Sequence, residues 1–335
     1  MTLPSSPTRR QRRFGPDPIP GVIPAGGVNI LGGLPSAGKS RMLAWWCHAW
    51  LTGGSKIFNV AVPRLNVGIL STDRSFIDST GLWFDAYGLH DVAHYSLQDE
   101  QSFDWKKLRR REERHAVLEA SVGRLFERMR DAPAYDEALG NLVICDTIST
   151  FIPNTMDYNE VFVSISGIRR LAQNRICTLL GTMHAAKQRM GPKERYCRLI
   201  DRIAGSVAIT GTADTMCYIA IPEETEAGRP VFEWHPHHAP RQQFELTVDA
   251  NGLFGWDGKE VASLEQINAR GAEQLLQVFA NEEEELQLGS IIKRAELVGM
   301  DSLNEKTFRR WVNQLVKDGQ LKKVARGCYQ KIRPS

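Results

Sequence analysis

The sequence of 335 residues has no apolar run of about 18 residues, the length that a membrane-spanning helix requires. Its first residues are polar and basic, without the apolar middle of a signal peptide. The six cysteines form no C-x-x-C pair, which argues against both a disulfide framework and a cysteine-bound metal. These absences predict a cytoplasmic protein with reduced thiols and no membrane partner.

The sequence also has little net charge. A value of +3 provides no overall field that attracts nucleic acid, so any basic binding site must be local. One basic cluster, RRQRR, occupies residues 9–13 in proline-rich surroundings that disfavour regular structure. We expect residues 1–17 to form a basic disordered tail, which is either a solvated terminus or an arm that binds phosphate.

Short continuous apolar runs alternate with helix-type stretches from Val28 to about Ile219. Such runs, rather than alternating ones, are typical of parallel strands buried on both faces. Residues 230–256 instead alternate apolar and polar side chains around Asn251-Gly252, which predicts a terminal antiparallel hairpin. We therefore expect an α/β domain over residues 18–262, with a mainly parallel sheet built from the runs VNIL, NVGIL, LVIC, CTLLG and MCYIAI.

The pattern changes past Trp256 to three helix-period segments, Leu264–Phe279, Leu288–Leu297 and Glu305–Lys317, and then to two short strands around residues 326–327. Three helices followed by a basic hairpin is the order of a winged helix, which we predict for residues 263–335.

The third of these segments has one apolar face and one basic face. Phe308, Val312 and Leu315 recur at helical spacing and should be buried. Residues 291–335 contain eleven Lys or Arg against four Asp or Glu, which is consistent with either DNA docking or a general interaction module. The DNA-binding candidates on this helix are Lys306, Arg309 and Arg310.

The stretch GLPSAGKS fits the P-loop pattern G-x-x-x-x-G-K-[ST], with a strand before it and a helix after it. In such a loop the backbone N–H groups surround phosphates, Lys39 reaches the β- and γ-phosphates, and the Ser40 hydroxyl ligates Mg²⁺. ATP is preferred over GTP because the sequence has no [NT]-K-x-D motif. The predicted nucleotide-binding residues are Gly33, Leu34, Pro35, Ser36, Ala37, Gly38, Lys39 and Ser40.

Three polar side chains follow other predicted strands. Asp146 ends LVICD, where it would orient Mg²⁺ through water or, alternatively, cap a helix. Asp73 follows NVGILST and is the candidate base that activates water. His184, after CTLLGTM, either senses the γ-phosphate or has a structural role.

Together these motifs resemble the RecA-type ATPases, most closely the RepA-like hexameric helicase branch of plasmids, phages and related mobile elements. The resemblance covers residues 18–256 and depends on PGVIPAGGVNILGGLPSAGKS, NVGILSTDRS, LVICDT, MHAAK and RIAGSVAITGTADTMCYI. It implies a RecA-like fold, a homo-oligomeric ring, expected to be a hexamer, ATP between subunits, and single-stranded DNA in the centre. The family usually has Glu where this chain has Asp73, which predicts slower water activation, and often Gly where it has Ser36.

The resemblance also implies a role for a basic loop between residues 184 and 205. In RecA-type proteins the corresponding loop faces the central strand, where cations neutralise backbone phosphates; a solvated surface loop is the alternative. Either Lys187 or Arg202 is also a candidate finger toward a neighbour's γ-phosphate. The six candidate DNA-binding cations are Lys187, Arg189, Lys193, Arg195, Arg198 and Arg202.

The function predicted on this basis is an ATP-driven oligomeric DNA helicase or translocase, acting in replication or recombination of a mobile element. The alternative is a non-motor DNA-binding ATPase, a recombination mediator or loader that uses ATP as an assembly switch. A P-loop kinase for a small molecule is disfavoured, because the sequence has no arginine-bearing lid and the winged helix is predicted instead.

Overall fold

The structure is a computed structural model. It describes residues 9–72, 81–90, 92–99, 108, 110–155, 157–185, 203, 206–221, 229–236, 242–258, 260–261, 275–279, 284–297 and 305–332. The chain divides into two compact units, Met1–Val261 and Ala262–Ser335, which are called the N-terminal unit and the C-terminal unit below.

The N-terminal unit is a sheet covered by helices. Its described helices are α1 (Arg9–Phe14), α2 (Lys39–Thr52), α3 (Gly81–Ala86), α4 (Arg111–Asp131), α5 (Tyr158–Asn174) and α6 (Ser206–Thr212). Its described strands are β1 (Val28–Gly33), β2 (Lys56–Ile57), β3 (Val60–Ala61), β4 (Asn66–Ser71), β5 (Ala93–Ser96), β6 (Asn141–Asp146), β7 (Cys177–His184), β8 (Thr215–Ala220), β9 (Val231–Pro236), β10 (Gln242–Glu245), β11 (Thr247–Val248), β12 (Phe254–Gly255) and β13 (Glu260–Val261).

Nine of these strands form one sheet in the order β13-β10-β9-β8-β1-β7-β6-β4-β5. The five predicted apolar runs are β1, β4, β6, β7 and β8, and each pairs in parallel with its neighbour in this group, as expected. The expected antiparallel edge is present, since β9 pairs antiparallel with β8 and β10 with β9. The predicted turn at Asn251-Gly252 does not form this edge, because it joins β11 and β12, which make a separate two-stranded sheet. Strand β5 was not predicted, because AHYS has no continuous apolar run.

The central strands are mostly apolar because the sheet has a core on each face. Ile30 belongs to the layer that contains Leu125 of α4 and Ile165 of α5. Its neighbour Leu31 belongs to the other layer, with Trp46 of α2. Successive side chains of a strand point to opposite faces, so a strand between two apolar layers needs apolar residues at both alternate positions.

The amino-terminal segment differs in part from the predicted disordered tail. Residues 9–14 form helix α1, and Phe14 is buried against Gly26, where a Cβ would lie only 2.6 Å from the Phe14 ring. The backbone N–H of Ala25 donates to Asp17 at 2.8 Å. An apolar anchor and a turn therefore order a segment whose composition alone favours disorder; residues 1–8 lie outside the described part.

The C-terminal unit contains two described helices, α7 (Leu288–Leu297) and α8 (Glu305–Lys317), which agree with the predicted bounds. Three strands form a sheet in the order β14 (Glu285–Gln287), β16 (Cys328–Lys331), β15 (Leu321–Ala325). Strands β15 and β16 are the two short strands predicted around residues 326–327. Strand β14 was not predicted, because it lies in an acidic stretch that has no strand pattern. Most of the predicted helix 264–279 lies outside the described residues.

The buried face of α8 is the predicted one. Phe308 and Val312 have no exposed surface and Leu315 has 1%. Trp311, which was not predicted, joins them in a core with Leu321 of β15. Among the described residues, no helix of either unit is both long enough and apolar enough to cross a membrane.

Candidate functional site

The parallel strands bring the predicted site residues to one edge of the sheet. Strand β7 lies between β1 and β6, and its register aligns His184 with Gly33 of β1 and Gly181 with Cys145 of β6. Asp146 follows Cys145 and ends β6. Since all three strands run in the same direction, their carboxyl ends place the P-loop, His184 and Asp146 at a common edge.

The backbone of the P-loop requires glycine at two of its positions. A Cβ on Gly33 would lie 2.8 Å from the carbonyl oxygen of Ile219 in β8. Gly38 has a left-handed φ of 95°, and a Cβ there would lie 2.7 Å from the ring of Phe254. Ser36 also has a positive φ, 65°, which explains why glycine suits this position. The signature glycines are therefore needed for close packing and for the turn into α2.

Lys39 is the first residue of α2 and points into the loop. Its side chain is 7% exposed, and Nζ donates to the carbonyl oxygens of Gly33 at 3.1 Å and Leu34 at 2.9 Å. His184 Nδ1 lies 3.4 Å from Nζ. Burial lowers the pKa of Lys39 from 10.5 to about 8, although the charge of Asp146 opposes this effect. The ammonium is thus a poorly solvated cation, which an anion in the loop would stabilise.

Asp146 is held by residues at the ends of the neighbouring strands. The Thr182 hydroxyl of β7 donates to its carboxylate. The backbone N–H of Thr72, after β4, donates to the Asp146 carbonyl at 2.7 Å. In return the Thr147 N–H donates to the Thr72 hydroxyl at 3.0 Å. The sequence places Thr72 and Thr182 at strand ends, but this threonine network is visible only in the structure.

Sequence reasoning missed an aromatic cluster beside the loop. The guanidinium of Arg41 lies 4.2 Å from the centroid of the Trp83 ring and 4.8 Å from that of Phe254. Its Nε is buried and has no hydrogen-bond partner among the described residues. Burial lowers the pKa of this guanidinium. The one available signal was the position of Arg41 directly after the GKS motif, since its aromatic neighbours are distant in sequence.

Several predicted site residues cannot be placed. Asp73 lies outside the described residues, as do all six cations of the loop: Lys187, Arg189, Lys193, Arg195, Arg198 and Arg202. The side chain of Lys306 is also outside them. Arg309 and Arg310 are exposed on α8, on the side away from its buried face.

The mostly parallel sheet, the P-loop and the acidic residue at a neighbouring strand end define a P-loop nucleotide-binding protein. Residues 10–190 match a protein family described as an AAA domain. The match covers more than half of the chain and includes the P-loop, Asp146 and His184, so the chain belongs to this family of P-loop ATPases. No curated protein matches the chain.

Proposed function

We propose that the chain is an oligomeric, RecA-like ATPase that binds Mg²⁺-ATP at the P-loop and couples hydrolysis to DNA as a helicase or translocase. The observation that supports the catalytic part best is the buried ammonium of Lys39, which lies within the loop and interacts with the charge of Asp146. A structural lysine would be expected to reach solvent rather than donate to loop carbonyls.

The residues of the loop fit a nucleotide bound with Mg²⁺. The left-handed Gly38 turns the loop into α2, and Lys39 presents a cation whose burial favours an anionic ligand. Ser40, half-buried in the first turn of α2, would ligate the metal directly, and Asp146 would hold it through water. When bound, Mg²⁺ supplies charge neutralisation of the β- and γ-phosphates.

The remaining residues position these groups. Thr182 donates to the Asp146 carboxylate, which fixes the orientation of that side chain between β6 and β7. His184, next to Lys39 Nζ, is suited to contact the γ-phosphate. Asp73, which follows Thr72 in the sequence, is proposed as the base that activates water, with a reach shorter than that of Glu.

The aromatic cluster suggests where the base of the nucleotide lies. Strands β7 and β8 flank β1 on opposite sides, so His184 lies on one side of the loop, while Ile219 of β8 packs against Gly33 on the other. Phe254 packs against Gly38 and Arg41. We therefore propose that the phosphates lie toward His184 and the base toward Trp83, which is half-buried and offers a stacking surface.

The proposed DNA contacts depend on charge. We propose that the six loop cations of residues 187–202 bind single-stranded DNA at the centre of a homo-oligomeric ring, expected to be a hexamer. The C-terminal unit is proposed to be a winged-helix domain that binds duplex DNA. Its support is the combination of α7, α8 and a three-stranded sheet with exposed Arg309 and Arg310. We further propose a role in replication or recombination of a mobile element.

The test is the ATPase rate with and without single-stranded DNA, combined with a native mass measurement. Lys39→Ala should abolish turnover because the β/γ-phosphate charge loses its partner. Lys56→Ala, which removes an exposed lysine of β2, is the matched control and should keep the wild-type rate. Wild-type hydrolysis in Lys39→Ala would contradict the P-loop assignment.

The second candidate function that we propose is a non-motor, RecA-like DNA-binding ATPase, a recombination mediator or loader that uses ATP as an assembly switch. The observation that favours it is Asp73 in place of the family's Glu, because a shorter base suits slow hydrolysis and a long-lived ATP state. In that case DNA should not stimulate the ATPase, and nucleotide should change the native mass instead.

A further inference from the structure

A pocket lined by three arginines lies at the opposite edge of the sheet from the P-loop. Its volume is about 560 Å³, and it opens where β1, β7 and β8 begin. The six residues of β1 separate the two edges by about 20 Å at a rise of roughly 3.3 Å per residue. The lining residues are Arg10, Arg13, Phe14, Gly26, Arg169, Gln173 and Asp214.

Two of the three arginines come from helix α1, the arginine-rich segment noted in the sequence. Arg10 donates from Nε to the Ala25 carbonyl, and its Nη2 lies 3.4 Å from Asp214 Oδ1. Arg13 donates from Nη2 to the Gln173 carbonyl at 3.2 Å. A guanidinium has five N–H groups, and the described residues accept from no more than two on either side chain. Among the described residues, most donors of Arg10 and Arg13 thus have no acceptor, and these exposed guanidinium groups line the pocket.

The third arginine, Arg169 of α5, is part of the wall. Its Nη2 donates to the Thr212 carbonyl and to Asp214 Oδ2, the latter at 3.0 Å. Its Nε is buried and has no hydrogen-bond partner among the described residues. The two Nη2 bonds hold this guanidinium in place, so Arg169 contributes a fixed positive charge to the wall of the pocket.

The charges of the pocket do not balance. Three guanidinium groups face a single carboxylate, that of Asp214, which also accepts the backbone N–H of Val28 at 3.0 Å. The surplus of two positive charges favours an anionic phosphate group, which carries about −1 in a nucleic-acid backbone and roughly −1.5 to −2 as a monoester at neutral pH. Guanidinium also presents parallel N–H groups at the spacing of two phosphate oxygens. The charge and the donor geometry thus favour an anion over an uncharged ligand, and a phosphate group satisfies both.

We propose that this pocket, formed by Arg10, Arg13 and Arg169, is a second anion site that binds a phosphate group independently of the nucleotide site. The phosphate belongs either to a nucleic-acid backbone or to a small phosphate compound. Helix α1 is then part of a binding site, and the function of Arg10 and Arg13 is separate from nucleotide binding at the P-loop.

The test is calorimetric titration of inorganic phosphate onto the full chain, with Mg²⁺ and a non-hydrolysable ATP analogue present so that the P-loop is filled. Arg13→Gln should weaken phosphate binding about tenfold, because one charge-assisted contact is lost. Arg13 is exposed and bonds to one backbone carbonyl, so this variant should fold normally. Arg130→Gln, an exposed arginine of α4, is the matched control and should bind like the wild type.

A second variant should act in the opposite direction. Asp214→Asn removes the lone carboxylate but keeps an acceptor oxygen, so phosphate binding should become several-fold tighter. Circular dichroism checks that this variant folds, and Arg13→Gln tests the proposal whether or not it does. Absence of saturable phosphate binding in the wild type, or equal affinity in Arg13→Gln and wild type, would overturn the proposal.

A parallel titration with a single-stranded oligothymidylate distinguishes the two sources of phosphate. If nucleic acid is the ligand, Arg13→Gln should weaken oligonucleotide binding. The slope of the logarithm of the binding constant against the logarithm of salt concentration should also become shallower by about the contribution of one phosphate contact. If a small phosphate compound is the ligand, Arg13→Gln should affect inorganic phosphate alone. Both results support the site, and neither depends on whether the chain hydrolyses ATP.

Discussion

Lys39 should make the stability of the N-terminal unit depend on pH. Its pKa is lowered from 10.5 to about 8, chiefly because burial disfavours the charged form. The unfolded chain therefore binds more protons than the folded chain between pH 8 and 10.5. Stability attributable to this group should rise with pH across that window, and the full cost of burying the charge is present below pH 8.

The size of the effect follows from the pKa shift. A shift of about 2.5 units corresponds to roughly 3 kcal/mol at neutral pH. Most of this cost is relieved as the lysine becomes neutral, so about 2 kcal/mol should be recovered between pH 7 and pH 9.5. Lys39→Met keeps a side chain of similar length but has no charge, and it lacks this pH-dependent contribution.

The assay is urea unfolding without nucleotide, followed by tryptophan fluorescence, at pH 7 and pH 9.5. The difference in unfolding free energy between wild type and Lys39→Met should change by about 2 kcal/mol in favour of the wild type at the higher pH. Lys56→Met, at an exposed position, should show no such change. If the difference in unfolding free energy between wild type and Lys39→Met is the same at both pH values, burial of the Lys39 charge does not lower its pKa as argued.

Three further predictions concern catalysis and DNA. Asp146→Asn should reduce hydrolysis at least a hundredfold while leaving some nucleotide affinity, and an unchanged Mg²⁺ dependence of the rate would contradict its role. Asp73→Asn should lose turnover whereas Asp73→Glu should keep or raise it, and equal rates in both variants and the wild type would make this carboxylate structural. Deleting residues 263–335 should weaken duplex binding in a filter assay and leave DNA-stimulated ATPase largely intact. Neutralising Lys193, Arg195 and Arg198 should instead remove stimulation of the ATPase by single-stranded DNA and leave duplex binding largely intact.

The sequence was sufficient for features that depend on local pattern. Continuous apolar runs identified β1, β4, β6, β7 and β8, because a strand covered on both faces has no polar side to present. The GLPSAGKS stretch identified the loop in the same way, since Gly38 has the left-handed φ that the turn into α2 requires. Helical spacing likewise located α7 and α8 and the buried face of α8.

Features that bring together distant segments needed the tertiary structure. Arg41 lies between Trp83 and Phe254, which are separated from it by about 40 and 210 residues, and no local pattern links them. Helix α1 was expected to be disordered because its composition is basic and polar, yet the burial of Phe14 against Gly26 orders it. Spacing along a chain specifies which elements form. Which polar and charged groups then share a pocket depends on how the sheet orders its strands.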